Sequence, residues 1–295
     1  MFRAAVLIVA LVAPAAFAAQ PSWIEESNRH AQILLDVMAR YNAETAASLG
    51  VEGHDSEIFD LKPRFSERQE ADLGGAIAKL EQLRGSATDP LVRRDLDVLI
   101  GAARDQKHST ELGRQLALPF FDLGQAVFRG FQDLLDPRIA KTRQKAVLSR
   151  LHRYVGAEKG YEPVTALARA RYEEQAANAQ LIGPWIVEAQ QYLDNQPRYL
   201  DGIQKLLEGS GLKGWQKDLQ TLRAQFDEYG KWVTATVLPR ARKTNQLPTE
   251  LYANSLKRFG VQIDPHEIIT RTLANYQQSH NEFEPLTRRI AEERK

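Results

Sequence analysis

The sequence predicts an all-α fold, and three observations carry that expectation. Apolar residues recur at i, i+3, i+4 and i+7 along most of the chain. Proline, glycine and capping acids interrupt the pattern where helices would end and begin. No stretch alternates apolar and polar residues with β-branched enrichment, as a half-buried strand would.

The first segment reads as an address. Met1-Phe2-Arg3 supplies one positive charge, Ala4 to Ala13 is an unbroken apolar run, and Ala16-Phe17-Ala18 is an A-x-A cleavage pattern. That is the anatomy of a secretory signal peptide over residues 1–18. The run is shorter than the roughly 20 residues of a membrane-spanning helix. Cleavage after Ala18 removes Arg3 and no acid, leaving an electrically balanced helical domain over residues 19–295. The expected location is periplasmic or secreted, with no membrane attachment after cleavage.

The helices then follow in order. His30, Ile33, Leu34, Val37, Met38 and Tyr41 trace one face of the first. Gly50-Val51-Glu52-Gly53-His54-Asp55 closes it in a loop. Thr88-Asp89-Pro90 predicts a helix start, with Asp89 as cap and Pro90 at the first helical position. Val127, Phe128, Phe131, Leu134 and Leu135 form the next stripe, and Asp136-Pro137 predicts another start. Gly156 and Gly160 flank a break, after which Glu162-Pro163 restarts the chain. Gly183-Pro184, Gln196-Pro197, Gly209-Ser210-Gly211, Leu238-Pro239 and Leu247-Pro248 mark further ends. Trp215, Leu219, Leu222, Phe226, Tyr229 and Trp232 predict a buried face. Ile269, Thr272, Leu273, Tyr276, His280, Phe283 and Ile290 predict a long last helix. Roughly ten helices result. No fixed-period repeat is present, so an irregular helical array is expected rather than a solenoid.

Composition narrows the function classes. The 295 residues carry 39 Lys+Arg against 38 Asp+Glu, which gives no electrostatic case for nucleic acid. The absence of Cys removes disulfides, thiolate zinc sites and Cys nucleophiles.

Chemistry-bearing motifs are few. His266-Glu267-Ile268-Ile269-Thr270 begins like an HExxH zinc site but places Thr270 where the second His must stand. Asp264-Pro265-His266-Glu267 reads instead as a capping box, with Glu267 reaching back to the cap. The histidines His30, His54, His108, His152, His266 and His280 show no compact ligand spacing, so no metal site is assigned. Glu25-Glu26, Glu173-Glu174 and Glu292-Glu293 point about 100° apart on a helix and make no carboxylate dyad. The loop from Gly50 to Asp60 gathers glycines, an imidazole and acids, which suits either a cleft lining or a plain turn with glycines at positive φ.

Four segments carry a family resemblance. They are Tyr41 to Asp60 (YNAETAASLGVEGHDSEIFD), Tyr229 to Arg242 (YGKWVTATVLPRAR), Leu247 to Ile269 (LPTELYANSLKRFGVQIDPHEII) and Phe283 to Arg294 (FEPLTRRIAEER). In order and spacing they resemble the bacterial domain-of-unknown-function family 885. The resemblance implies a mostly helical protein, longer than this chain, related to the HExxH zinc peptidases. Its metal helix lies in a C-terminal half, so this chain resembles the N-terminal helical half, an incomplete piece of a larger fold. No catalytic residue and no zinc ligand carries over; zinc is expected in the missing half.

Two function classes follow. The first is the cleft-wall half of an exported metal-dependent hydrolase, a peptidase, inactive alone. The second is a non-catalytic periplasmic helical module that binds a peptide or protein partner. In the first reading His54, Asp55, Asp60 and Tyr252 are the candidate substrate-cleft residues. The Leu273, Tyr276, Phe283 and Ile290 stripe is expected to be an exposed apolar face open to self-association.

Overall fold

A computed structural model describes residues 22–261 and 263–294; the proposed signal peptide lies outside them. The described chain is all-α. Its helices are α1 (Ser22–Tyr41), α2 (Ala43–Ser48), α3 (Phe65–Ser86), α4 (Pro90–Leu116), α5 (Leu123–Leu134), α6 (Lys141–Gln144), α7 (Ala146–Tyr154), α8 (Val164–Ala176), α9 (Ile186–Ser210), α10 (Gln216–Trp232), α11 (Thr249–Arg258) and α12 (Pro265–Glu293). Among the described residues β-pairing is confined to two isolated bridges, Ala117 with Ile182 and Trp185 with Arg242.

Two packed bodies of side chains hold the array. In the first, α3 and α4 form an antiparallel hairpin with α1 laid along it. Asp89 caps α4 as its sequence implies, accepting from Leu91 N at 2.8 Å with Pro90 at the first position. Leu80, Val92, Leu96 and Ile100 fill the hairpin against Ile33 and Leu34 of α1. Ion pairs along its length (Arg84–Asp97, Glu81–Arg104 and Glu70–Arg114) confirm the antiparallel register.

The second body is larger. Phe131, Leu151, Tyr192, Ile203, Leu222 and Phe226 bring α5, α7, α9 and α10 into one core. The predicted inner face of α10 holds at every position: Trp215, Leu219, Leu222, Phe226, Tyr229 and Trp232 are all buried. Burying a side chain of Leu or Phe size is worth about 1.5–3 kcal/mol each, so this face anchors the helix.

Two expected boundaries and one expected capping contact differ from the structure. Gln196-Pro197 ends nothing; α9 runs through Pro197 from Ile186 to Ser210. Tyr192 and Gln196 before the proline, and Leu200, Ile203 and Leu207 after it, are all buried along α9. Packing on both sides outweighs the one lost backbone hydrogen bond. Asp136-Pro137 opens a turn, not a helix: Asp136 Oδ1 accepts from Arg138 N at 2.8 Å and its carbonyl from Ile139 N at 2.9 Å. The helix begins only at Lys141. Asp264 does cap α12, accepting from His266 N at 2.8 Å, but Glu267 does not turn back. Its carboxylate pairs one turn forward with Arg271, because i,i+4 opposite charges compete for the same side chain.

After Trp232, α10 widens into a π-turn at Val233–Val237 and tightens into 3-10 at Leu238–Arg240. Pro239 cannot donate to a carbonyl four residues back, so the α pattern cannot continue. The chain there meets Gly183. A Cβ on that glycine would stand 2.0 Å from Arg240 O, so only glycine fits the crossing. Arg242 N then donates to Pro184 O, and Ile186 N to Arg242 O, both at 2.9 Å.

Beyond this point α11 leans on α4 through Asn254 to Ser109 and Lys257 to Asp105. Every described residue of α12 from Arg271 onward is exposed, including Leu273, Tyr276, Phe283 and Ile290. No helix among the described residues is long and apolar enough to cross a membrane.

Candidate functional site

The short helix α2 brings one carboxylate inside. Ala43, Ala46 and Ala47 pack it closely, and Glu44 is buried among them, 8% exposed. On α7, Val147, Arg150, Leu151 and Tyr154 face inward together, as i, i+3, i+4 and i+7 positions must. Arg150 and Tyr154, one turn apart, therefore arrive at the same junction as Glu44.

The geometry there is tight. Glu44 Oε1 accepts the Tyr154 hydroxyl at 2.6 Å and Phe59 N at 3.1 Å. Arg150, only 1% exposed, donates to Gly130 O at 2.6 Å, Glu57 O at 3.1 Å and His54 O at 3.3 Å. Gly130 is required by this contact: a Cβ would meet the Tyr154 hydroxyl at 2.5 Å and Glu44 Cγ at 3.1 Å.

Two concavities open beside Glu44, each of about 360 Å3. The first is bordered by Asp133, Asp136, Arg138, Arg143 and Arg150. The second is bordered by Phe59, Phe121, Asp122, Gln125 and Arg129, with Asp133 shared. Both fall within the size range of small-molecule pockets, roughly 300–1,000 Å3.

The carboxyls around these spaces differ in proton affinity. Burial raises Glu44, and the hydrogen bond from Tyr154 and the charge of Arg150 offset only part of that. Burial likewise raises Asp122, against its hydrogen bond from Gln125 N. Asp136 goes the other way, held at about 2 by hydrogen bonds from Arg138. The first concavity thus joins an ionised carboxylate at Asp136 to a carboxyl at Glu44 that holds its proton more tightly.

The sequence-derived cleft residues are placed as follows. Asp55 forms a two-pronged pair with Arg143 at 2.7 and 2.8 Å, which holds its carboxyl below the usual range. Asp60 is paired with Arg68 at 2.6 and 3.1 Å and also accepts Lys62 N at 2.7 Å. Its burial would raise it, but Arg68 and the Lys62 amide outweigh that and lower it. His54 is half-buried and contributes its carbonyl to Arg150. The loop is clamped to α6 and α7 by Arg143, Arg150 and Arg153, the last reaching Ser56 O at 2.8 Å. Tyr252 is 41% exposed on α11, whose packing partner is α4, so it does not join the loop.

Glu44, Arg150 and Tyr154 are not singled out from the sequence. A signal exists: Arg150 stands three residues after Val147 and four before Tyr154, on the apolar stripe of α7. A charge in that register is buried and must be paired.

For a metal the donor set does not fit. Among the described residues no three of His, Asp and Glu converge as ligands. His152 pairs with Asp218 at 2.9 Å, and His280 lies exposed on α12.

These features define an irregular all-α chain with a buried carboxyl, its proton affinity raised by burial, beside two pocket-sized spaces. Residues 44–295 match the family described as "Bacterial protein of unknown function (DUF885)", and the chain belongs to that family. No curated protein and no solved structure matches it.

Proposed function

We propose that this chain supplies the helical wall of a substrate cleft in an exported metal-dependent hydrolase acting on peptides. The observation that carries the reading is the pair of concavities around Glu44, built from the same Tyr41–Asp60 segment that carries the family resemblance. Open backbone donors and acceptors of an extended peptide would meet Glu44, Asp133, Arg138 and Gln125 along this wall. In the resemblance the metal and its base belong to a part of the fold outside this chain. Zinc there would polarise a scissile carbonyl; the residues described here bind, orient and exclude water. Export rests on the charged start, apolar run and A-x-A pattern of residues 1–18.

A second reading, a non-catalytic module that binds a peptide or protein partner, draws support from the exposed apolar stripe of α12.

The test is purified chain with zinc and a mixed peptide library, with and without chelator. The expected result is retention of peptides without chelator-sensitive cleavage. Chelator-sensitive turnover would place a working metal site on this chain, against the proposal. Failure to retain any peptide would remove the cleft.

A further inference from the structure

A third concavity, of about 280 Å3, shares no lining residue with the two around Glu44. It lies where the start of α3, the end of α4 and α8 meet, with Phe65, Ser66, Gln69, Phe120, Arg171 and Gln175 on its wall.

Arg171 is unlike the other inward-facing arginines of this protein. Arg68, Arg114 and Arg143 each grip a carboxylate with both prongs. Arg150 spends its donors on three carbonyls. The Arg171 guanidinium has no hydrogen bond and no ion pair among the described residues; it lies 3.7 Å from the centroid of the Phe65 ring. The nearby acids are already engaged: Asp60 by Arg68, Glu70 by Arg114, and Glu174 by the backbone N–H of Arg64. Burial pulls Arg171 down to about 10, and Asp60 and Glu174 offset only part of that.

Arg171 is half-buried; a guanidinium whose neighbours in the fold are a ring face and no anion gains from a partner that completes its hydrogen bonds. One turn further along α8, Gln175 keeps Oε1 buried without a donor. The cavity therefore presents a planar cation with no anion, stacked on Phe65, and the aromatic side chain of Phe120; the Gln175 oxygen would take a donor on the ligand's body, not its carboxylate. Planar two-pronged recognition by arginine selects carboxylate or phosphate. The volume and the aromatic wall favour a small organic acid over a bulky phosphate ester.

We propose that this cavity binds a small carboxylate-bearing molecule, with the carboxylate held by Arg171 and the body of the ligand against Phe65 and Phe120. The site stands apart from the peptide-cleft reading, since binding alone is measured and no hydrolysis is required.

The experiment is calorimetric titration of the intact chain with benzoate, its uncharged isostere benzamide, and inorganic phosphate. Benzoate is expected to bind and benzamide not. Arg171→Lys keeps the charge and the stem over Phe65 but loses the fork, and is expected to weaken benzoate binding about tenfold or more. Thermal melts of Arg171→Lys alongside the wild type establish that the variant is folded. Equal binding of benzoate and benzamide would overturn the proposal. So would phosphate binding in place of benzoate, no binding of any probe at millimolar concentration, or full retention by folded Arg171→Lys.

Discussion

Tyr154 donates its hydroxyl hydrogen to Glu44 Oε1 at 2.6 Å, and both side chains are buried. That bond joins α7 to α2 and, through Phe59 N on the same oxygen, to the long loop before α3. Tyr154→Phe keeps the ring contacts with Phe59 and Phe131 and removes only the donor. It is expected to cost about 1–3 kcal/mol, because a largely buried carboxyl loses one of its hydrogen-bond donors. Denaturant unfolding measures this; an unchanged midpoint would mean that the bond contributes nothing.

Glu44 and Asp55 should leave opposite marks on stability against pH. Burial raises Glu44 in the folded state. Its contribution is therefore fully present below the ordinary glutamate range and is lost as pH rises through the raised value. Glu44→Gln removes that loss, so its stability relative to wild type should improve as pH rises. Asp55 is lowered, chiefly by the hydrogen bonds from Arg143. Its contribution is present above the ordinary aspartate range and is lost as pH falls through the lowered value. Asp55→Asn should therefore be weaker than wild type at neutral pH and converge on it in acid. Thermal melts across pH for the two variants check both signs.

The arginine clamp on the loop should be unequal. Arg150→Met leaves the carbonyls of Gly130, Glu57 and His54 without their donor in a buried setting. A loss of about 3–5 kcal/mol is expected. Arg143→Met breaks a pair whose partners are 36% and 22% exposed, so water takes over much of its role. A loss of about 1 kcal/mol or less is expected there. Equal costs for the two would contradict the buried role given to Arg150.

The crossing at Gly183 is tested by one methyl group. Gly183→Ala sets a Cβ against Arg240 backbone, which cannot swing away as a side chain would. The expected cost is about 1–3 kcal/mol, read by denaturant unfolding. A neutral result would mean that the two segments separate without penalty.

The stripe on α12 was expected to be open, and it is: Leu273, Tyr276 and Phe283 are each more than 60% exposed. If it mediates self-association, Leu273→Ser with Phe283→Ser should shift sedimentation toward the monomer while leaving the melting temperature unchanged. Unaltered sedimentation would assign any association to another face.

Much of the fold was legible in the sequence because periodicity and caps act locally. The inner face of α10 and the cap at Asp89 are decided within one or two turns, so the residues themselves announce them. Pro197 misleads for the opposite reason: whether a helix survives a proline depends on what packs beside it, here Tyr192 and Leu200 in a core shared with α5 and α10. The Glu267 side chain misleads because Arg271 competes with the cap, and both partners are compatible with its position. The candidate site was legible only in part. The Tyr41–Asp60 segment carries the family resemblance, but its sequence points to the polar loop residues His54, Asp55 and Asp60. The carboxyl that faces the concavities, Glu44, is raised by burial and bonded to Tyr154, more than 100 residues away in sequence. Only the folded chain brings them together.

The central claim is that the concavities beside Glu44 receive peptide. Hydrogen exchange of the chain with and without a peptide retained from the library tests it most directly. The amides of Ala43–Ser48 on α2 and of the segment from Phe121 to Asp133, which border the two spaces, are expected to exchange more slowly when peptide is bound. Protection confined to α12, with none at α2 or α5, would contradict the claim and assign peptide binding to the exposed helix instead.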